Sequence, residues 1–337
     1  MRASSARLNH SSVRLADLSF PQVNLLIRRT RVVFIHLDNL LALAKRDREG
    51  RVDGYLAAHL PDECLLVFLR KGEAVNAASL HTSGRDVVPI AEAMRRLRVE
   101  AERGDLTYCA APIEQLAWMH ASCAAPAEPR VIDPKAPSAF FPALRDEGLT
   151  AVVELIANGR VSYLRFEGGK FVAGYFCDRP PDLPVPKYVE SLFQPGPEGT
   201  TPVLSAAVFP AVPDLPVQAT AALINTYREL YWRVVDAVEQ EFPGEATKRA
   251  HRVAAGFAGN RALPLLAAPR GADTPPTVLR AEDLAAALTD WTRRLLEELE
   301  VVMPGTAPRV LREATKEHRY VLQAAGFYGR MPWPVSW

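Results

Sequence analysis

The residues of this chain with the clearest claim to chemistry are two thiols and an imidazole, Cys109, His120 and Cys123. His120 and Cys123 stand in a His-x-x-Cys spacing with a thiol upstream. His59 or Cys64 would complete a set of four ligands of the kind zinc takes. Against this, no paired Cys-x-x-Cys exists and Cys109 lies in a strand-like run, LTYCAA (106–111). The competing reading is of small buried cysteines beside a surface histidine. His36-Leu37-Asp38 places an imidazole and a carboxylate two residues apart, which share a face only on a strand; a histidine flanking a helix is the commoner use. Nucleophilic catalysis needs a Ser or Cys with an activating base. There is no Gly-x-Ser-x-Gly elbow, and Ser83 in HTSG sits in a loop-like stretch. No Gly-rich loop closes on Gly-Lys-Ser/Thr, and Glu167-Gly168-Gly169-Lys170 lies between two strand-like runs, as a turn would. The expectation is a non-enzymatic chain without cofactor, in which Cys109, His120 and Cys123 are the weak metal candidates.

The elements that must position these residues are organised around two stretches, ECLLVFLRKGEAVNAASL (63–80) and SYLRFEGGKFVAGYFC (162–177). Each sets a Gly-containing polar turn between two apolar runs. With Gly72 on Gly169, Leu69 meets Phe166, Val75 meets Val172 and Ala77 meets Gly174, so one β-hairpin is used twice. Around the first copy, RVVFIHL (31–37) reads as a strand or as the lead-in to a helix through Leu37, Leu40, Leu41 and Ala44. RVDGYLAAHL (51–60) and LTYCAA are strands, Ile90, Met94, Leu97 and Ala101 mark one face of a helix, and IEQLAWMHASC is a further helix. Around the second, 138–148 is a short helical turn and TAVVELIAN (150–158) a strand closed by an Asn158-Gly159 hairpin turn. KYVESLF is a short helix and TPVLSAAVF (201–209) the last strand. Five prolines between 126 and 142, and the stretch PAVPDLPV (210–217), mark linkers.

Beyond 217 the apolar period changes from two to 3.6. Leu223, Tyr227, Leu230, Val234 and Val238 stripe one helix; Leu284, Leu288, Trp291, Leu295 and Leu299 stripe another. EFPGEATKRA…AAGFAG (241–259) echoes VMPGTAPRVL…QAAGFYG (302–329), which predicts two helical hairpins packed as a four-helix bundle. The fold class expected is α+β: two tandem small α+β modules with antiparallel hairpins, at 30–125 and 138–210, followed by an all-α helical bundle at 218–329. A flexible basic segment (1–29), a Pro-rich linker (126–137), a second linker (211–217) and a Trp-containing tail (330–337) complete the division.

Four cysteines in 337 residues make no dense disulfide framework, which points to a reducing, cytoplasmic compartment. The first twenty residues lack the apolar core of a signal peptide, and no apolar stretch reaches the roughly 18 residues that span a bilayer, so no membrane partner is expected. A net charge of +1 argues against whole-protein affinity for nucleic acid. Locally, Arg28, Arg29 and Arg31, with Arg95, Arg96 and Arg98 on a helix face, could bind nucleic acid. The helix at 281–302 carries the opposite sign, and Glu297, Glu298 and Glu300 form a candidate docking surface. Trp333 and Trp337 lie in a tail with no stripe to bury; either they fold back on the bundle or they anchor a partner.

FLRKGEAVNAA (68–78) and RFEGGKFVAGY (165–175) share the pattern aromatic, x, x, Gly, x, hydrophobic, x, small in and around the turn. In this the region 35–210 resembles the bacterial PATAN-type domain family, with the first copy also matching its helix-then-strand ending and the second having only a short, Pro-flanked helix. The resemblance implies a non-catalytic module of cytoplasmic bacterial signalling proteins, with protein partners among signalling or small-GTPase-associated components and no catalytic residue to carry over. The expected function is a protein-interaction or regulatory adaptor. The alternatives are a small-ligand- or metal-binding protein or enzyme with a site between the two modules, and nucleic-acid binding through the basic N-terminal segment.

Overall fold

The computed structural model describes residues 15–46, 52–125, 127–133, 136, 139–194, 204–324 and 326–335, in two units that divide after Pro216. In the first unit, a 3-10 turn at Leu15–Asp17 precedes β1 (Asn24–Arg31), α1 (Leu37–Arg46), β2 (Gly54–His59), β3 (Glu63–Arg70), β4 (Glu73–His81), β5 (Gly84–Val87), α2 (Ile90–Val99) and β6 (Asp105–Ala110). After α3 (Ile113–Ala124) come β7 (Glu128–Arg130), α4 (Phe140–Asp146), β8 (Ala151–Ala157), β9 (Arg160–Glu167), β10 (Lys170–Tyr175), α5 (Val185–Leu192) and β11 (Leu204–Phe209). The strands form two antiparallel sheets, ordered β1-β6-β2-β3-β4-β5 and β7-β11-β8-β9-β10. Up to the last strand of each these are one topology used twice, with β5 added to the first copy and α3 following it without a counterpart in the second.

The duplication extends to single hydrogen bonds. At the interval separating Gly72 from Gly169, Gly54 opposite Leu69 becomes Ala151 opposite Phe166, and His59 opposite Cys64 becomes Ile156 opposite Val161. Lys71-Gly72 and Gly168-Gly169 all have positive φ, the conformation of a type I′ turn, which suits the right-handed twist of the flanking strands. The register slips by one residue at Val75 in the first hairpin and at Val172 in the second. Each turn is tied to the strand before it in the same way. Gly72 N donates to Val52 O (3.0 Å) and Gly169 N to Leu149 O (2.8 Å); Lys71 N donates to Asp53 Oδ1 (2.7 Å) and Gly168 N to Thr150 Oγ1 (2.9 Å).

Both sheets are covered on both faces, so β2, β3 and β8 read as continuous apolar runs rather than alternating ones. The outer faces carry α1 and α2 on the first sheet (Leu56, Val67, Leu69, Met94, Leu97) and α4 and α5 on the second (Val153, Leu155, Leu164, Phe166, Val189). The equivalent inner faces share one core: Tyr55, Leu66 and Phe68 of one copy and Val152, Ile156 and Tyr163 of the other pack with Leu116 and Trp118 of α3. Within this core Arg85 of β5 grips Glu154 of β8 by two bonds of 2.7 and 2.6 Å and also donates to Ser122 Oγ at 3.0 Å.

Three boundaries differ from the sequence reading. The basic segment assigned to 1–29 is structured from Leu15: Leu18 and Phe20 are buried in the shared core, Ser19 bonds to Gly159 and Val161, and β1 occupies the stretch before residue 32. The linker at 126–137 contains β7, short and Pro-bearing as an edge strand permits, paired with β11. Of the linker at 211–217, the part up to Pro216 runs packed along the first copy, with Leu215 buried, Arg70 paired to Asp214 and Asn76 Nδ2 donating to Pro216 O at 3.0 Å.

The second unit is helical: α6 (Ala221–Glu241), α7 (Ala246–Ala255), α8 (Leu263–Leu266), α9 (Ala281–Val302), α10 (Thr306–Thr315) and α11 (Arg319–Ala324). The two stripes meet as expected, with Tyr231 stacked on Trp291 at 4.0 Å, and α10 packing on α6 while α7 packs on α9. The internal echo carries a device of its own, Glu-x-x-x-Pro-Gly-x-Ala. Glu239 accepts from Gly244 N and Ala246 N, and Glu300 from Gly305 N (2.6 Å) and Ala307 N (2.8 Å), so each long helix supplies a carboxylate to the start of the next.

Candidate functional site

α4 and α5 are short and proline-marked: Pro142 lies in α4, and Pro184 caps α5 with Pro186 in its first turn. α4 inserts Phe140 and Leu144 into the outer core of the second copy, and α5 inserts Tyr188, Val189 and Leu192. Between these helices and the outer face of β9 and β10 lies a cavity of about 790 Å³. Its walls include Phe141, Leu164, Phe166, Phe171, Val189 and Phe193, and the exposed charges Arg145, Lys170 and Glu190 border it.

The aromatic walls form a chain. Phe193 meets Phe141 edge-on at 5.9 Å, Phe141 stacks on Phe166 at 6.2 Å, and Phe166 meets Phe171 edge-on at 6.1 Å. Close approach sets the floor at one end: a Cβ on Gly169, whose φ is +74°, would stand 2.5 Å from the Arg145 carbonyl oxygen. Lys170 and Glu190 form no ion pair with another described residue, and Arg145 has only its neighbour Asp146 at 3.7 Å. The groove therefore offers an apolar bed with two cations and one carboxylate at its rim. Such a surface can hold an apolar body and orient a charged group; its described lining contains no Ser, Thr, Cys or His.

Among the described residues, the same seam in the first copy is packed helix on strand. α1 and α2 lie directly on β4, α2 also on β3, and Leu37, Val88, Met94 and Leu97 are all buried there.

The residues singled out for chemistry do not converge on one centre, although Cys64 and Cys123 lie in one core within electrostatic reach of each other. Cys109 on β6 donates to Gln22 Oε1 at 2.9 Å, His120 on α3 meets Phe68 edge-on at 5.9 Å, and Cys123 is buried beside Arg85 and Ser122. Among the described residues no group of three or more His, Cys, Asp or Glu is arranged to hold a metal ion. All four cysteines are free and buried. Burial pushes the thiols of Cys64 and Cys177 up to about 12 and that of Cys123 to about 11, away from the thiolate that both metal binding and nucleophilic attack require. His59 is buried with its ring at 3.2 Å from Leu15 O, and desolvation lowers its pKa. His36 Nδ1 accepts from Asn39 N at 3.3 Å and so caps α1, while Asp38 pairs with Arg98. Ser83 lies in the turn between β4 and β5.

The charged surfaces are largely engaged within the chain. Arg29 and Arg31 pair with Asp105, Arg95 and Arg96 with Glu92, and Arg96 also with Glu63. Glu298 pairs with Arg252 at 2.6 Å, Glu297 lies 3.9 Å from Arg293, and Glu300 serves the start of α10. Trp333 is half-buried against the core of the helical unit; Trp337 lies outside the described residues. The space between the two copies is occupied by α3, Leu18 and Phe20.

Sequence reasoning missed the groove. Its one available signal was the crowding of Phe140, Phe141, Phe166, Phe171, Phe176 and Phe193 into the second copy. No protein-family model, curated protein or solved structure matches this chain.

Proposed function

We propose that this chain is a non-catalytic protein-interaction adaptor that binds its partner through the groove formed by α4, α5 and the β9–β10 hairpin. The observation that carries this reading is a contrast among the described residues of the two copies: the helices of the first lie directly on its sheet, whereas those of the second leave a Phe-walled cavity. Aromatic anchors in an apolar groove with a polar rim are the residues on which binding energy concentrates, at about 2 kcal/mol or more each when truncated. The likeness of both hairpins to PATAN-type modules supports a setting in bacterial cytoplasmic signalling, with partners among its components.

The test is capture by immobilised full-length protein from a lysate of the source organism, comparing wild type with Phe171→Asp and with Val99→Asp, an exposed apolar position of the first copy. A stoichiometric protein retained by wild type and Val99→Asp but lost with Phe171→Asp is the expected result. Equal retention by all three removes the groove from the reading.

A second reading is favoured by the cavity volume, which falls in the range of roughly 300–1,000 Å³ typical of small-molecule sites. An apolar small molecule that co-purifies, seen as added mass in native mass spectrometry and lost with Phe171→Asp, would support it.

A further inference from the structure

We infer that the outer edge of β10 receives an extended segment of the protein partner as an added strand, whose side chains enter the groove. This rests on the adaptor reading and specifies the chemistry of the partner.

The first copy shows what the module does with this edge. β4, the counterpart of β10, is paired along its outer side with β5: Ala78 stands opposite Val87, Ser79 opposite Asp86, Leu80 opposite Arg85 and His81 opposite Gly84. The strand then delivers Val88 into the core beneath α2, with Val88 N donating to Ala77 O at 3.0 Å. In the second copy the chain turns away at Cys177-Asp178, and β10 is the last strand of its sheet among the described residues.

An edge strand exposes a row of unpaired amides and carbonyls, and proteins ordinarily blunt such an edge with charge, proline or a cover. β10 is poorly blunted. Its sequence is KFVAGY, its only charge is Lys170 beside the turn, and Phe171 and Val172 are 42% and 51% exposed. Past Tyr175 the edge closes, because Tyr188 donates its hydroxyl proton to Cys177 O. Among the described residues the open stretch is thus Phe171 to Tyr175, long enough for one short strand. Phe171 belongs both to this strand and to the groove wall, so a segment paired with β10 lies against the groove. Strand addition of this kind draws affinity from main-chain bonds and specificity from pockets for alternate side chains. The rim adds a charge preference: Lys170 and Arg145 against the single Glu190 favour a segment carrying a carboxylate. The partner segment is therefore extended, apolar at alternate positions, and acidic at one end.

The experiment pans short random peptides on the immobilised full-length protein and follows the enriched peptide by amide hydrogen exchange. Val172→Lys places a charge on the edge at an exposed site, and Phe171→Ser opens the groove wall; both are checked for an unchanged melting temperature. The expected result is a consensus of alternating apolar residues with an Asp or Glu, slowed exchange of the outward-pointing amides between Phe171 and Tyr175, and affinity reduced about tenfold or more by Val172→Lys. Peptides that need Phe171 but leave β10 exchange unchanged would overturn the added strand while leaving the adaptor reading in place. A concentration-dependent dimer abolished by Val172→Lys would assign the edge to a second copy of this chain instead. No peptide enriched on wild type over Phe171→Ser would overturn both.

Discussion

The two α+β copies keep the same strand order, the same type I′ turn and the same register slip, yet they treat their outer surface in opposite ways. The first copy adds β5, pairs it with β4 and covers its outer face with ten-residue helices. The second drops that strand, shortens α4 and α5, and lines the seam with phenylalanines. What is retained is what the backbone needs to make the sheet; what diverges is who covers it. The two copies share one inner core, and they differ among the described residues at one sheet edge and at the outer helix–sheet seam.

The largest effect is expected where the copies hold each other. Glu154 stands at the inner-face position that Ala57 occupies in the first copy, and its carboxylate is buried against Arg85. Glu154→Ala makes the second copy resemble the first at this position and strands a guanidinium in the core, which should cost about 3–5 kcal/mol of stability in denaturant unfolding. Arg85→Met with Glu154→Leu should recover most of that loss, because no charge is then left unpaired. Burial by itself raises the Glu154 pKa, but the charge and hydrogen bonds of Arg85 outweigh it and the net shift is downward. The pair therefore contributes stability in full above the ordinary glutamate pKa, near 4.3, and loses it as pH falls through the lower folded value. Acid unfolding of the Arg85→Met/Glu154→Leu protein should lack that component.

How much of this was legible in the chain follows from where each feature is encoded. The hairpin alignment placed Val75 on Val172, and these prove to be the two register-slip residues, because turn and flanking apolar runs are local signals. The helical stripes were local too. β1 lies ahead of the strand expected at 31–37, since NLLIRRTR is an edge strand half exposed on both faces and carries no clean alternation. β7 was hidden by Pro129. The inner and outer faces of β3 could not be told apart in ECLLVFLR, because both are buried. Arg85 and Glu154 come from different copies, and no spacing rule connects them. The groove is a space that side chains do not fill, and a sequence pattern records side chains.

A smaller effect would sharpen the comparison at the turn. Lys71 and Gly168 occupy equivalent positions at φ 50° and 53°, so the first copy already shows that a non-glycine residue fits there. No atom lies within 4 Å of a Cβ on Gly168, whereas one on Gly169 would meet the Arg145 backbone. Gly168→Lys is expected to cost about 1 kcal/mol or less, and Gly169→Ala about 1–3 kcal/mol with displacement of α4. The melting temperatures of the two variants check this ranking. Equal losses would mean that α4 is not held against the turn, and with it one wall of the groove.

The smallest effect on stability should be the most informative about function. Val185 lines the groove and is only half-buried, so Val185→Phe adds a ring to an unfilled seam much as Met94 and Leu97 occupy its counterpart in the first copy. If the groove exists for a partner, plugging it should leave unfolding within about 0.5 kcal/mol of wild type, as surface substitutions usually do, while abolishing capture through Phe171. A variant that gains 1 kcal/mol or more and still captures the partner would make the open seam a packing defect of the second copy, with the binding surface elsewhere. Silent stability with lost binding ties the difference between the copies to recognition, since the folded state then gains nothing from leaving the seam open.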